Sequence, residues 1–151
     1  MLALLAALAC WLSVGLWALQ FSVAVRNARL DAVESTSGTS AILKIRSGAP
    51  PANCATADSG TVLATLNLPS DWMAAASGGT KSLSGTWSDS SADATGTAAH
   101  FRLYASDGTT CHAQGTVTAT GGGGDMTVDN TSFASGQAFS VTSFTLSEGN
   151  A

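Results

Sequence analysis

The residues that could carry out chemistry in this chain of 151 residues are few and widely spaced. They are three cysteines and two histidines: Cys10, Cys54, His100, Cys111 and His112. Cys111 and His112 are adjacent, which suggests a nucleophile beside its general base. Consecutive side chains on a β-strand point to opposite faces, so this pair cannot form a catalytic dyad on a strand. We expect Cys111 to be a small core residue and His112 to face outward.

A zinc site built from Cys54, His100 and His112 is the second candidate. Structural zinc ligands come in closely spaced pairs such as C-x-x-C or H-x-x-x-H, and the chain contains neither spacing. His100 and His112 are expected on the two strands of one hairpin, where a solvent-facing or interface pair is the simpler interpretation. We therefore expect no metal ion and no cofactor.

Two further stretches resemble ligand sites only in composition. Asp89 and Asp93 lie among hydroxyl residues without the D-x-D-x-D-G order of a calcium loop, which predicts a structured polar loop. The GGGGD stretch at 121–125 lacks the lysine and the following helix of a phosphate-binding loop, which predicts a flexible linker. Paired carboxylates, a G-x-S-x-G elbow and a cofactor fingerprint are also missing from the sequence. The sequence thus predicts a protein that is not an enzyme.

Aromatic residues suggest a carbohydrate-binding module as one alternative. Trp72, Trp87, Phe101 and Tyr104 could line a face on which sugar rings stack. The same side chains could instead close the core at the ends of a β-domain, which is the interpretation that we favour.

The cysteine count leaves a disulfide open. Three cysteines do not form the even-numbered framework of a small disulfide-rich domain. A single bridge between Cys54 and Cys111 requires Cα atoms within about 7 Å of each other, and the sequence does not give that distance.

Charge and composition argue against one class of partner. Only 11% of the residues are charged and the net charge is -4, whereas an average globular protein has about 25% charged residues. The six lysines and arginines are scattered and form no basic stripe, which argues against binding to nucleic acid. A surface of short polar side chains loses little entropy on packing. Such a surface suits a protein in contact with other subunits, including copies of itself.

Residues 19–35 are predicted to form an N-terminal amphipathic helix. One face at helical spacing carries Phe21, Val25, Ala28 and Ala32, and the charged residues lie off that face. Gly38 provides a helix end. We expect the apolar face to cover an open end or face of the β-domain that follows.

From residue 41 onward the pattern changes to short β segments between turn residues. We predict seven strands over 41–147, at 41–47, 61–68, 80–87, 97–105, 110–119, 126–130 and 138–147. Their number and spacing indicate a mainly β fold, an antiparallel β-sandwich of jelly-roll or immunoglobulin-like type, with a small barrel as the alternative. Residues 70–79 are predicted to form one helical turn.

The last predicted strand has a change of pattern. Phe139 and Val141 share one parity, whereas Phe144 has the other. Either a bulge near Thr142–Ser143 shifts the register, or the strand is buried on both faces, and we favour the bulge.

The opening of the chain, residues 1–25, contains no charged residue. As a helix it is long enough for a bilayer core of about 30 Å, so residues 2–25 could anchor the chain in a bacterial membrane. It makes a poor signal peptide because no positive charge precedes the apolar run. We treat residues 1–18 as a separate apolar extension, and we favour a translation start placed too far upstream over a membrane segment.

Several stretches of the body carry a resemblance. They are VRNARLDAV (25–33), AILKIRSGAPP (41–51), GTVLATLNL (60–68), SDSSADATGTAAHFRLYASDGTT (88–110) and VTSFTLSEG (141–149). Together they resemble a family of small proteins encoded among the head and structural genes of tailed bacteriophages and prophages. The resemblance extends over residues 19–147, and the 88–110 stretch is its distinctive part.

The resemblance implies an accessory component of the virion that is assembled in the host cytoplasm and has no catalytic residues. Its partners would be other virion subunits, capsid or connector, which it would contact as a decoration protein of the head or at the head–tail junction. The helix and the last strand are the expected interfaces, by helix docking or edge pairing. The candidate interface residues are Phe21, Val25, Ala28, Phe139, Val141 and Phe144. A membrane-anchored or exported bacterial β-domain is the alternative function, and the carbohydrate-binding module is a second one.

Overall fold

The computed structural model describes residues 19–149, which form one helix and nine strands. The predicted extension over residues 1–18 lies outside the described residues. Within residues 19–149, no helix is both long enough and apolar enough to cross a bilayer.

The helix α1 extends over Val23–Ser37, so it lies slightly further along the chain than the predicted 19–35. Ser22 is its N-cap, and the Ser22 side chain accepts a hydrogen bond from the backbone N–H of Val25. Gly38 ends the helix as predicted, with φ of 81° and its N–H bonded to the carbonyl of Glu34 at 2.8 Å. A left-handed φ of this kind is easy for glycine because it has no Cβ.

All seven predicted strands are present, together with two short strands that the sequence did not indicate. The strands are β1 (Ile42–Ser47), β2 (Val62–Asn67), β3 (Thr80–Ser82), β4 (Ser88–Asp89), β5 (Gly96–Tyr104), β6 (Cys111–Ala119), β7 (Met126–Val128), β8 (Ser132–Phe133) and β9 (Phe139–Ser147). The helical turn predicted over 70–79 is wrong. This segment instead makes isolated bridges, Met73 to Leu83 and Ser77 to Thr80, and we call it the hairpin 73–83.

The strands form one curled, mixed sheet that makes a half-barrel, with the order β2-β1-β5-β6-β7-β9-β3. β4 pairs with β9, and β8 pairs with β5. The fold is mainly β as predicted, but the strands do not separate into the two antiparallel sheets of a sandwich. One pairing, β6 with β7, is parallel.

The parallel pairing results from the GGGGD stretch, for which the expectation of a flexible linker is wrong. The stretch folds back along β6, where the N–H of Gly124 donates to Thr118 Oγ1 at 3.0 Å. Asp125 Oδ2 accepts from the backbone N–H of Thr116 at 2.8 Å and from its hydroxyl at 2.7 Å. A Cβ at Gly122 would lie 2.7 Å from the Thr118 Cβ, so glycine permits this close return.

The hydrophobic core lies inside the curl of the sheet. Alternating residues of β1 and β5 point into it, among them Leu43, Ile45, Phe101 and Leu103. A chain of ring contacts joins the two sides, from Trp72 to Trp87, Phe144 and Phe101, with centroids 5.5 to 5.8 Å apart. Trp72, Trp87 and Phe101 lie in the core, as we favoured from the sequence. Tyr104 does not, because its hydroxyl bonds to Asp58 on the other surface of the sheet.

A bulge at Thr142 allows both parities of β9 to be buried. Thr127 pairs with Ser143, whereas the next residue, Val128, pairs with Val141, so Thr142 is the extra residue. Phe139, Val141 and Phe144 are all buried as a result. The predicted bulge is confirmed, and the extra hydroxyl bonds to the Thr127 hydroxyl at 2.7 Å.

The helix α1 packs on the sheet with a different face from the predicted one. Leu30 and Ser37 are its buried residues, whereas Val25 on the predicted face is 43% exposed. The expectation that the apolar face would cover the β-domain is therefore wrong.

Two substitutions on α1 distinguish these faces. Leu30 is 4% exposed, and removing a buried leucine side chain leaves a cavity, so Leu30→Ala should lower the free energy of unfolding by about 2 to 3 kcal/mol. Val25→Ala, on the exposed face, should change it by less than about 0.5 kcal/mol. Urea unfolding followed by circular dichroism measures both. An equal loss for the two variants would contradict the observed orientation of α1.

Candidate functional site

The inward face of α1 is attached to the hairpin 73–83 by polar groups. Asn27 Oδ1 accepts from the N–H of Gly79 at 2.9 Å, and Asp31 Oδ1 accepts from the N–H of Ala76 at 3.1 Å. Glu34 Oε1 accepts from the N–H of Met73 at 3.1 Å. These three side chains occur at a spacing of four and then three residues, so they lie along one face of the helix. That face supplies acceptors for backbone N–H groups of the hairpin, and an unpaired N–H there would cost free energy.

A buried lysine strengthens the same contact. Lys81 Nζ lies 2.8 Å from Asp31 Oδ1 and 3.0 Å from Glu34 Oε2, and its side chain is almost fully buried. Burial acts to lower the pKa of Lys81, but the two carboxylates outweigh it and hold the pKa above its ordinary value. The hydrogen bond from Lys81, with that from the N–H of Ala76, lowers the pKa of Asp31. The lysine therefore stays charged, and α1 is fixed by ion pairs as well as hydrogen bonds.

Further contacts hold the two ends of α1. Arg26 Nη1 donates to the carbonyl of Glu148 at 2.8 Å, and Arg29 lies 3.3 Å from the Glu148 carboxylate. At the other end, Trp72 Nε1 donates to the carbonyl of Gly38 at 3.2 Å. The whole length of the helix is thus positioned against the sheet.

Apolar side chains are exposed at the start of α1 and on its opposite side. The exposed large hydrophobic residues of the described chain are Leu19, Val23 and Val25, at 78%, 47% and 43% exposure. Ala28 is exposed beside them. Val25 and Ala28 lie on the side of α1 opposite the buried Leu30, and we call them the outward face of α1. Val23 opens the helix four residues before Asn27, so it is exposed at the helix start and is not part of this face. A groove of about 280 Å³ between α1 and β6 is lined by Arg29, Ala32, Val33, Thr36, Ser37 and His112.

The structure separates the predicted interface residues into two groups. Val25 and Ala28 lie on the outward face, and the half-buried Phe21 ring lies under the guanidinium of Arg29 at 5.2 Å. The three residues of the last strand, Phe139, Val141 and Phe144, are buried in the core. They are therefore unavailable to a partner, because the bulge directs the side chains of both odd-numbered and even-numbered residues into the core.

A second polar cluster lies on the other surface of the sheet, beneath the loop 48–60. Arg46 and Arg102 both form ion pairs with the carboxylate of Asp58, which also accepts from the hydroxyl of Tyr104 at 2.7 Å. His100 Nδ1 lies 2.9 Å from the carbonyl of Gly48 at one end of the loop. We call Arg46, Asp58, His100, Arg102 and Tyr104 the Asp58 cluster.

The surroundings of the Asp58 cluster favour an ionised Asp58 and neutral forms of Tyr104 and His100. Partial burial acts to raise the pKa of Asp58, but the Tyr104 hydroxyl and the two guanidinium groups outweigh it, so the pKa lies below its ordinary value. Burial raises the pKa of Tyr104, and the hydrogen bond to Asp58 raises it further. Burial lowers the pKa of His100, and the positive charges of Arg46 and Arg102 add to this effect. Asp58 is thus an ionised anchor and not a proton acceptor at neutral pH.

The loop 48–60 is also joined covalently to the sheet. Cys54 and Cys111 form a disulfide with their Cα atoms 5.2 Å apart. The sequence left this bridge open and placed Cys111 in the core. A register shift between Leu103 and Tyr104 pairs Tyr104 with Cys111, which turns the thiol toward the loop instead.

The remaining sites considered from the sequence are not assembled. Within residues 19–149 no group of three metal-ligating side chains comes together. Trp72, Trp87, Phe101 and Tyr104 are buried, so they offer no face for stacking a sugar. Asp93 accepts from the Thr65 hydroxyl at 2.8 Å, which fits the predicted structured loop.

The Asp58 cluster was missed in the sequence, although one signal for it was present. Arg46 on β1 and His100, Arg102 and Tyr104 on β5 have the parity opposite to the large core residues of their strands, which are Leu43, Ile45, Phe101 and Leu103. Four large polar side chains on the outer face of two neighbouring strands predict a cover, because cations are seldom buried without a partner.

Comparison with protein-family models, with curated proteins and with solved structures finds no match to the chain.

The buried His100 predicts a pH dependence of stability. Its pKa is lowered in the folded chain, so below about pH 6.5 the unfolded chain binds a proton that the folded chain does not. The free energy of unfolding should therefore fall as the pH is lowered from 7 to 5, by at most about 1.4 kcal/mol per pH unit.

The matched variants are His100→Asn and His112→Asn, measured by urea unfolding across this range. His100→Asn should lose most of the slope, whereas His112→Asn, at an exposed position, should keep it. A wild-type slope in His100→Asn would show that another group titrates.

Proposed function

We propose that the protein is a non-enzymatic structural component of a tailed-phage virion, either a head-associated decoration protein or a head–tail accessory protein. In this proposal it binds other virion subunits, capsid or connector, through the outward face of α1. The observation that carries the proposal is the exposure of Val25 and Ala28 on a helix whose opposite side is held by polar contacts and by the buried Leu30.

The geometry of α1 favours a role in binding. The central part of a protein interface is poor in charged residues, and the outward face carries valine and alanine. Short side chains lose little rotamer freedom when a partner covers them. Because the helix is already fixed by Lys81 and the hairpin 73–83, a partner would not have to pay for ordering it.

The polar clusters support a structural role over catalysis. Asp31 and Asp58 have lowered pKa values because each accepts hydrogen bonds from groups that position a segment of the fold. A general base needs a pKa near the working pH. These carboxylates are instead held ionised by lysine, arginine, tyrosine and backbone donors.

A second candidate function, a membrane-anchored bacterial β-domain, is favoured by one observation. Leu19, Val23 and Val25 are exposed where they continue the uncharged run of residues 1–18. In that case residues 2–25 would contact a lipid bilayer. Recovery of the full-length chain in the membrane fraction, with release by detergent alone, would favour this candidate over the virion.

The virion proposal predicts that a charge on the outward face prevents incorporation. Ala28→Asp places a carboxylate in the centre of the face and should reduce incorporation at least about tenfold, because burying an unpaired charge is costly. Ala134→Asp is the matched control at an exposed position away from α1, and it should be incorporated normally. Quantitative mass spectrometry of purified particles gives the copy number of each variant. Absence of the wild-type protein from intact particles would overturn the proposal.

A further inference from the structure

The outer face of β1, β5 and β6 meets the loop 48–60 in an asymmetric way. Side chains of the sheet donate the hydrogen bonds, and groups of the loop accept them. Arg102 donates to the carbonyls of Cys54 at 2.9 Å and Thr56 at 3.1 Å, and to Asp58. Gln114 Nε2 donates to the carbonyl of Pro51 at 2.6 Å. The sheet thus presents donors, and the loop, which turns at residues 54–55, presents acceptors to them.

The donors on the sheet exceed what the loop supplies. Two buried guanidinium groups, Arg46 and Arg102, share the one carboxylate of Asp58. The Nε atoms of both arginines are buried and have no hydrogen-bond partner. A further cation, Lys44 Nζ, lies 4.8 Å from the centroid of the Tyr104 ring. We call Arg46, Arg102, Tyr104 and Gln114 the donor face, and it suits a segment that carries a carboxylate.

The loop has the form of a cover. Its ends meet where the N–H of Ser47 donates to the carbonyl of Thr61 at 3.1 Å. Gly48 and Gly60 stand at its two ends with φ of 73° and 68°, and glycine tolerates large changes of backbone angle at such positions. The covalent link to the sheet is the Cys54–Cys111 disulfide, and both cysteines are partly exposed, which gives a reductant access.

We propose that the donor face is a binding site for a short segment that bears a carboxylate, which the oxidised chain fills with its own Asp58. Reduction of the Cys54–Cys111 disulfide then allows an acidic segment of another polypeptide to displace the loop. In the reduction a dithiol reductant supplies two electrons and two protons, the S–S bond breaks to give two thiols, and the reductant becomes a cyclic disulfide. This inference does not rest on the role in the virion.

A peptide with the sequence of the loop tests the proposal directly. The probe is a fluorescein-labelled peptide of residues 49–59 with serine in place of Cys54, titrated by fluorescence anisotropy. It should bind the double variant Cys54→Ser, Asp58→Asn most tightly, because the loop of that protein has lost both its carboxylate and its covalent link. Cys54→Ser and the reduced wild type should bind it more weakly, and the oxidised wild type at least about tenfold more weakly than either.

The control peptide carries Asp58→Asn and should bind at least about tenfold more weakly to every form, because it lacks the charge that the arginines recognise. Equal affinity of the two peptides would overturn carboxylate recognition. Failure of the first peptide to bind the double variant, when its circular dichroism shows a folded chain, would overturn the site itself.

Hydrogen exchange tests the displacement of the loop in the wild-type protein, without any substitution. In the reduced wild-type protein, amide protection of the loop 48–60 should fall at least about tenfold relative to the oxidised protein, whereas that of β5 should persist. Equal protection of the loop in both redox states would overturn its displacement on reduction.

Discussion

The tertiary structure depends on pairing buried cations with carboxylates from other segments. Arg46, Lys81 and Arg102 are buried in a chain with few charges, and a buried charge is tolerated only with a partner. Asp58 brings the loop 48–60 to the two arginines, and Asp31 with Glu34 brings α1 to the lysine. The apolar core stabilises the sheet, but these ion pairs fix the positions of the loop 48–60 and of α1 on it.

Patterns of short range predicted the sheet well. Local side-chain periodicity predicts the alternation of β1 and β5, the turns between strands and the change of parity in β9. Each of these features depends only on neighbouring residues of the sequence. The arrangement into one curled sheet was not predicted, because the parallel pairing of β6 with β7 depends on the close return of the chain at Gly122 and Gly124. A glycine run suggests flexibility unless the side chain that it packs against is known.

The candidate sites were harder to predict from the sequence, because they depend on contacts between distant parts of the chain. Helical periodicity placed Val25 and Ala28 on one face of α1, but it could not show that backbone N–H groups of the hairpin 73–83 would draw the polar face inward. The Asp58 cluster joins β1, β5 and the loop 48–60. The parity of the two strands indicates that their polar side chains need a cover, but no local spacing shows which segment supplies it. The Cys54–Cys111 bridge depends on the register shift beside Tyr104, which sets the direction of the thiol.

The two surfaces of the molecule should respond to different conditions because different forces act at them. The outward face of α1 is apolar and uncovered, so binding there would depend on the removal of apolar surface from water and would be little affected by salt. The donor face is cationic and covered by a segment of the chain itself, so a competitor must exceed the high local concentration of the loop. Ionic strength and redox state would therefore act on the second surface and leave the first nearly unchanged. Because α1 is held by Lys81 and the hairpin, and the loop by Arg46, Arg102 and the disulfide, each surface can be altered by substitution without moving the segment that forms the other.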